Sequence, residues 1–173
     1  MAAVALAAGG HSAQAACVHR TKIVDGATIA KPARMPPVAP LAGPPVTRYG
    51  NSIVGLWHVA HYLDDGSLYF ESFEHYHSDG TEFEFANINP ITGDVCMGVW
   101  KPLNQRKVSL FHIGWVFDAS GNPAGTFTLA GPRRVSRSGN HLEGTFDAKI
   151  YDSDGNLVEE DTGTTAGDRI PVE

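Results

Sequence analysis

The chain has 173 residues, 42% of them hydrophobic and 18% charged, which is enough for one folded domain and too apolar for a disordered protein. The net charge is −6, but it is unevenly distributed. Residues 1–50 carry five basic side chains and one acidic one, whereas residues 51–173 carry eight basic and eighteen acidic ones. Such an acidic body argues against nucleic acid as a partner.

Residues 1–16 predict a secretory signal peptide. A stretch of small apolar residues leads to Ala13-Gln14-Ala15, which fits a signal-peptidase cleavage motif; a disordered Ala-rich leader is the alternative. No other stretch is long and apolar enough to predict a membrane span. The expected location is therefore secreted or periplasmic. There Cys17 and Cys96 could pair, or Cys96 could be a buried thiol.

Residues 17–50 are expected to form an extended arm. Six of the eleven prolines lie in residues 32–45, which favours polyproline II conformation and is incompatible with a helix. The arm is basic and the remainder of the chain is acidic. We therefore consider the arm a candidate for contact with its own domain or with another copy in a homo-oligomer; a solvated linker is the alternative.

Residues 51–173 show short β-rich runs separated by turn signals such as Ser78-Asp79-Gly80, with no sustained period of 3.6 residues. Strands are predicted near residues 53–62, 68–77, 82–88, 94–101, 107–117, 124–130, 133–137, 141–151 and 157–169. Eight or nine sequential strands predict an all-β fold. A single antiparallel up-and-down β-barrel is the simplest arrangement, because closure removes the exposed edges.

The first and last predicted strands carry the residues of a family resemblance. Gly55 and Trp57 form a Gly-x-Trp motif on the opening strand, and Arg169 lies on the closing strand. This layout resembles the lipocalin/calycin superfamily, in which the tryptophan plugs the closed end of the barrel and the arginine packs over it. The resemblance implies structural roles for Trp57 and Arg169. The chain also resembles small exported bacterial barrels and, as a second choice, the allene oxide cyclase/dirigent barrel.

The stretch ESFEHYHSDGTEFEF at residues 71–85 predicts a hairpin. If Asp79-Gly80 is a two-residue loop, Glu74 lies opposite Phe85 and the side chains alternate between two faces. One face then carries the polar residues His75, His77, Glu82 and Glu84. The other carries Phe70, Ser72, Glu74, Tyr76, Phe83 and Phe85. Since burial of the aromatic side chains is favourable, the second face is predicted to point inward.

The polar face of this hairpin raises the question of a metal site. Two histidines two residues apart on a strand, with carboxylates opposite, could chelate an ion. The predicted register places them on the outer surface, where cross-strand His–Glu pairs are the simpler interpretation. No metal and no other cofactor is therefore predicted.

Three inward polar residues are the candidate acid–base groups. Glu74 is predicted to lie inside, where burial would raise the pKa of its carboxyl group. His61 shares the inward face of its strand with Trp57, and His112 lies among apolar neighbours. A His–Glu–His group in a pocket suits proton transfer near neutral pH; three structural side chains are the alternative.

The leading functional hypothesis is a binding protein. A closed barrel with an aromatic interior can hold one small apolar or aromatic molecule. The predicted lining residues are Tyr76, Phe83, Phe85, Phe70, Trp115 and Ser72. The alternative is a cofactor-independent cyclase, isomerase or lyase that uses Glu74, His112 and His61. A third hypothesis is a barrel without a pocket that assembles through its arm.

Overall fold

The structure is a computed structural model, and it describes residues 52–171. The predicted signal peptide and the Pro-rich arm lie outside the described residues. The eight strands are β1 (Gly55–Leu63), β2 (Leu68–Tyr76), β3 (Thr81–Ala86), β4 (Val95–Asn104), β5 (Lys107–Phe117), β6 (Pro123–Val135), β7 (His141–Asp152) and β8 (Leu157–Arg169). A single 3-10 turn, Pro90–Thr92, precedes β4. Within the described residues, no helix is long and apolar enough to cross a membrane.

The strands form a closed antiparallel up-and-down barrel, as predicted. Each strand pairs with the next one along the chain, and β1 pairs with β8. There are eight strands because the predicted segments 124–130 and 133–137 belong to one strand, β6. Gly131 and Pro132 lie within β6. The pairs with β7 run up to Ala130 and resume at Arg133, so the missing N–H of the proline is tolerated.

Four hairpins of the barrel share one kind of turn. The loops that end in Gly66, Gly80, Gly121 and Gly155 have three residues each, and in every case the residue before the loop is hydrogen-bonded to the residue after it. The four glycines have φ values between +80° and +89°. This left-handed conformation is easily adopted by glycine and completes a type I turn with a bulge.

This turn corrects the predicted register of the β2–β3 hairpin. The loop consists of Ser78, Asp79 and Gly80, one residue more than predicted, since the His77 N–H donates to the Thr81 carbonyl at 2.9 Å. Glu74 therefore lies opposite Glu84 and not opposite Phe85. A shift of one residue turns every side chain of β3 to the other face.

The orientation of β2 was predicted correctly and that of β3 was wrong. Glu82 and Glu84 point into the barrel and are 2% and 0% exposed, whereas Phe83 and Phe85 point outward and are 41% and 47% exposed. The loss of two buried phenylalanines is offset by aromatic side chains from other strands, such as Phe127 of β6.

One end of the barrel is closed by Trp57 and Arg169, and the predicted contact is confirmed. The guanidinium carbon of Arg169 lies 4.2 Å from the centre of the Trp57 ring. The guanidinium also donates to the Gly139 carbonyl at 2.7 Å, to the Val54 carbonyl at 2.8 Å and to the carbonyl of Ser52. The arginine thus joins the beginning of the barrel to its last strand.

Inward side chains fill the barrel in three layers. The cluster near the Trp57 end contains Ile53, Trp57, Val59, Tyr76, Trp100, Val108, Leu110, Val135 and Leu142. The cluster near the other end contains Tyr69, Phe70, Ala86, Cys96, Val116, Phe127, Leu129, Phe146, Ala148 and Ile150. Buried polar residues separate the two clusters. On β5, for example, His112 lies between Leu110 of one cluster and Val116 of the other.

Candidate functional site

The middle layer of the barrel is a group of buried polar side chains, which we call the polar layer. Its members are at most 2% exposed and come from six strands. They are His61, Glu74, Glu82, Glu84, His112, Arg133 and Thr165. Strand alternation explains their position, because each occupies an inward-facing site of its strand.

His61 has a polar neighbour at each ring nitrogen. Its Nδ1 lies 3.0 Å from the hydroxyl of Thr165 on β8, the partner strand of β1. Its Nε2 lies 3.5 Å from Oε1 of Glu74 and 3.5 Å from Oε1 of Glu84. The ring stacks on Phe70, with 4.2 Å between the ring centres. The ring therefore presents Nε2 to the two carboxylates.

His112 has a similar place on the opposite wall. Its Nε2 lies 3.4 Å from Oε2 of Glu84, and its Nδ1 lies 3.5 Å from Oε2 of Glu82. Glu84 thus lies between the two histidines and faces one of them with each oxygen. The side chains of His61, Glu84 and His112 form a continuous row across the barrel.

Glu74 is hydrogen-bonded through one carboxylate oxygen and not through the other. Its Oε2 accepts a hydrogen bond of 2.5 Å from the hydroxyl of Tyr76, two residues along the same face of β2. Its Oε1 lies 3.8 Å from Nη2 of Arg133, which is beyond hydrogen-bond distance. Nη1 of Arg133 donates to the Thr145 carbonyl at 3.0 Å.

Many polar atoms of this layer have no hydrogen-bond partner among the described residues. They are His61 Nε2, Glu74 Oε1, both oxygens of Glu82, both oxygens of Glu84, both ring nitrogens of His112, and Nε and Nη2 of Arg133. Buried polar atoms are almost always hydrogen-bonded in folded proteins, and each exception requires an explanation. Here the exceptions are concentrated in one place and point toward one another.

Burial and neighbouring charges shift the pKa values of the buried carboxyl groups in opposite directions. Burial alone would raise the pKa of Glu74, but Arg133 and His61 outweigh it and lower the pKa to about 2. Burial raises the pKa of Glu82 to about 7, with only partial compensation from His112. The prediction of a raised pKa for Glu74 is therefore wrong, because the neighbouring Arg133 was not foreseen.

His112 and Glu84 shift each other's pKa values. Burial would lower the pKa of His112, but the carboxylates of Glu84 and Glu82 reverse this effect and raise it to about 9. Burial would raise the pKa of Glu84, but His112 and His61 bring it below its usual value. The charged forms of His112 and Glu84 thus stabilise each other in the dry interior.

The structure brings the three predicted acid–base candidates together. Glu74, His61 and His112 are all fully buried, and Glu84 connects them. Among the predicted lining residues, Phe70, Ser72 and Tyr76 also point inward. Their roles in binding or catalysis remain predictions.

Three predicted lining residues do not line the interior. Phe83, Phe85 and Trp115 are on the outer surface. Trp115 is 47% exposed, because the inward residues of β5 are the alternate ones, from Val108 through His112 to Val116.

Sequence reasoning missed four members of the polar layer. Glu82 and Glu84 were placed outside by the wrong register. Arg133 and Thr165 were not among the predicted site residues, although both are buried. The repeated spacing of the glycine turns would have indicated a three-residue loop, which places both glutamates inside.

The structure does not bring together the metal site that was considered on the outer surface of the β2–β3 hairpin. His75 and His77 are neighbours on the outer surface, with 4.1 Å between their ring centres. Glu82 and Glu84 lie on the other side of the sheet. The four residues therefore cannot surround one ion.

Two other groups of donors meet inside the barrel. His61, Glu74 and Glu84 each offer one atom within 4.8 Å of the others, and so do Glu84, Cys96 and His112. Cys96 is buried on β4, and Cys17 lies outside the described part of the chain, so the proposed disulfide stays a prediction. The first group consists of nitrogen and oxygen donors only.

The architecture is compatible with a lipocalin-like barrel, because it is closed, antiparallel and eight-stranded and because Arg169 covers Trp57 at one end. This likeness concerns the fold and carries no particular activity. Comparison with known proteins found no matching family model, no matching curated protein and no matching solved structure.

Proposed function

We propose that the protein binds one divalent transition-metal ion in the polar layer, through Nε2 of His61, Oε1 of Glu74 and Oε1 of Glu84. The observation that carries the proposal is that these three buried atoms lie close together and lack hydrogen bonds. Three such atoms pointing at one place in an apolar interior are costly unless a cation lies between them.

The distances support an ion better than a network of hydrogen bonds. The His61 nitrogen lies 3.5 Å from each carboxylate oxygen, whereas charge-assisted hydrogen bonds are about 2.7–2.9 Å long. Zinc–nitrogen and zinc–oxygen bonds are about 2.0–2.2 Å, so ligands around a tetrahedral ion lie about 3.4 Å apart. The observed spacing corresponds to ligands separated by an ion.

The other atoms of two ligands are already fixed. The Thr165 hydroxyl lies at Nδ1 of His61 and the Tyr76 hydroxyl at Oε2 of Glu74, so Nε2 and Oε1 remain directed at the proposed ion. Metal-binding histidines commonly donate their other ring N–H to an oxygen, which fixes the tautomer and the ring orientation. This arrangement supports a binding site more than a simple ion pair.

The placement of two carboxylates also favours a cation. Glu74 and Glu84 lie directly opposite each other on β2 and β3, and like charges so placed repel. A cation between the two carboxylates would remove this repulsion.

The donor set suggests the class of metal. One imidazole and two carboxylates suit zinc, manganese or ferrous iron, and a fourth position would remain for water or a small molecule. This proposal departs from the sequence-based expectation of no cofactor. It also suits a filled interior, because an ion needs far less space than an organic ligand.

Equilibrium dialysis against Zn²⁺ after treatment with a chelator tests the proposal, and its long equilibration allows slow entry into a buried site. We expect about one ion per chain. Glu74→Gln and Glu84→Gln keep the side-chain shape and remove a ligand charge, so each should lower the affinity by about 100-fold or more, beyond the usual effect of altering a supporting residue.

His75→Ala and His77→Ala are the matched controls, because they remove histidines from the outer surface near the same strands. They should leave the stoichiometry and the affinity unchanged. Failure of the wild-type chain to bind zinc, manganese or ferrous iron would contradict the proposal. So would loss of binding in the surface variants alone.

A small, mainly apolar ligand inside the barrel is the second candidate. It is favoured by the aromatic rings of Phe70, Phe127 and Phe146, which belong to the apolar cluster beside the polar layer. Titration with an apolar fluorescent probe, with and without zinc, tests it; an absence of saturable binding would contradict it. Proton transfer by Glu74 has less support, because a pKa of about 2 makes a weak base.

A further inference from the structure

One side of the barrel has an apolar outer surface. Outward side chains of β2, β3, β4 and β5 are hydrophobic and between 37% and 67% exposed. They are Phe73, Phe83, Phe85, Val95, Met97, Val99 and Trp115. Phe111 and Ile113 of β5 are half-buried among them. We call these nine residues the apolar outer face.

The strand register shows that this face is continuous. Phe73 lies opposite Phe85, which lies opposite Val95. In the next row Phe83 lies opposite Met97, which lies opposite Ile113. Val99 and Phe111 form a third row. Directly opposed side chains on one sheet face are in contact distance, so the rows form one surface.

The opposite side of the barrel is different. Its outer surface on β7 and β8 carries charged pairs, such as Lys149 with Asp147 and with Glu160. Single exposed hydrophobic residues need no explanation, but a large contiguous patch marks a surface that something covers. The asymmetry therefore indicates an occupant for the β2–β5 side.

We propose that the Pro-rich segment, residues 32–45, docks on the apolar outer face. Its sequence, PARMPPVAPLAGPP, contains six prolines and the apolar residues Met35, Val38 and Leu41. Such a segment favours polyproline II, which loses little conformational entropy on binding. Pro-rich segments of this kind characteristically dock in grooves lined by aromatic side chains.

The face contains a groove of suitable character. Its volume is about 610 Å³, and its apolar lining includes Phe83, Met97, Val99, Phe111 and Ile113. The side chains of His75 and His77 form a polar part of the same lining. Aromatic and aliphatic walls suit proline rings, and the histidines could hydrogen-bond to the carbonyl groups of an extended backbone.

The chain enters the described structure at the right place. The backbone N–H of Ser52 donates to the Gln105 carbonyl at 3.3 Å, and its hydroxyl donates to the same carbonyl at 3.0 Å. Gln105 lies in the turn between β4 and β5, two strands that carry the face. The described part of the chain therefore begins at one end of the face that the segment is proposed to cover.

The segment is also long enough. In polyproline II conformation its fourteen residues would extend about 43 Å, at about 3.1 Å per residue. Strand β4 has ten residues, which correspond to about 33 Å. Residues 46–51 provide a connection to Ser52. The segment can thus follow the whole length of the strands.

The fluorescence of Trp115 provides the test on the full chain. Trp57 and Trp100 are at most 1% exposed, so an added quencher such as acrylamide mainly reports Trp115. A docked segment should shield Trp115. The double substitution Val38→Asp and Leu41→Asp places charges in the proposed contact and should increase the quenching constant severalfold, with an unchanged circular dichroism spectrum.

The double substitution Ile23→Asp and Ile29→Asp is the matched control, because it adds the same charges to the arm outside residues 32–45. It should leave quenching as in the wild-type chain. Equal quenching in all three proteins would overturn the proposal. The proposal would also be overturned if Trp115 stayed shielded in the variant with substitutions at residues 38 and 41 and light scattering showed that this variant is a dimer.

Discussion

A single hydroxyl group determines what His61 can do. Thr165 lies on β8, directly opposite His61 in the barrel closure, and its Oγ1 is 3.0 Å from Nδ1. If Nδ1 donates its proton to Thr165, Nε2 carries the lone pair and points at Glu74 and Glu84. Without this contact the ring could adopt the other tautomer or rotate.

Thr165→Val should therefore weaken metal binding while preserving shape. Valine is almost the same size as threonine but cannot accept the Nδ1 proton. We expect about 10–100-fold lower zinc affinity by equilibrium dialysis, the usual effect of losing a residue that orients a ligand. Thr164→Val is the control, because Thr164 is exposed on the other face of the same strand. Equal affinities in the two variants would exclude a positioning role for Thr165.

At the scale of single residues, the alternation of side chains between the two faces of a strand made part of the site predictable. Once Trp57 is placed inside, Val59 and His61 must follow it, and the same reasoning places Glu74 between Ser72 and Tyr76. Arg133 was not predictable in this way, because the apparent break at Gly131-Pro132 concealed the continuity of β6. The pKa of Glu74 depends on Arg133, so its direction was missed as well.

At the scale of elements, the β2–β3 hairpin determines the character of the site. A loop of three residues places Glu82 and Glu84 inside, whereas a loop of two would place Phe83 and Phe85 there. Composition could not distinguish these registers, because burial of phenylalanine is favourable and burial of glutamate is not. The prediction buried the two phenylalanines, whereas the protein buries the two glutamates, which is energetically less favourable. Such departures from the more favourable core are expected at functional sites.

Gly80 has a backbone conformation that disfavours other residues. Its φ is +89°, a conformation that costs residues with a Cβ about 1–2 kcal/mol. Gly80→Ala should lower the free energy of unfolding by about this amount in urea denaturation. Ser78→Ala in the same loop should have a much smaller effect. If the two substitutions were equally harmless, the three-residue turn and hence the β3 register would be in doubt.

At the scale of the whole molecule, Arg169 connects the two ends of the chain's described part. It donates to carbonyl groups before β1 and in the β6–β7 turn, and it stacks on Trp57. The overall barrel could be predicted because turn signals and alternation recur along residues 51–173. The closing contact could be predicted because Gly55, Trp57 and Arg169 are recognisable in the sequence.

Arg169→Ala should destabilise the barrel by about 2–4 kcal/mol, through loss of charged hydrogen bonds and of the cation–π contact. Chemical denaturation provides the measurement. Arg134→Ala is the control: this exposed arginine pairs only at 3.6 Å with an exposed Glu143, and such pairs contribute about 0–1 kcal/mol. A similar small change for both arginines would contradict the role of Arg169 in closure.

Closure through β1 and β8 also has a kinetic consequence. The contacts between these strands join residues about as distant in sequence as the domain allows; Arg169 and Val54, for example, are 115 positions apart. Chains with such distant contacts fold slowly, because the entropy of closing a large loop is lost before the contacts form. Until β8 is synthesised, β1 has an unpaired edge and the buried glutamates and histidines of the interior are open to water. The last thirteen residues of the barrel therefore set the moment at which the interior becomes dry.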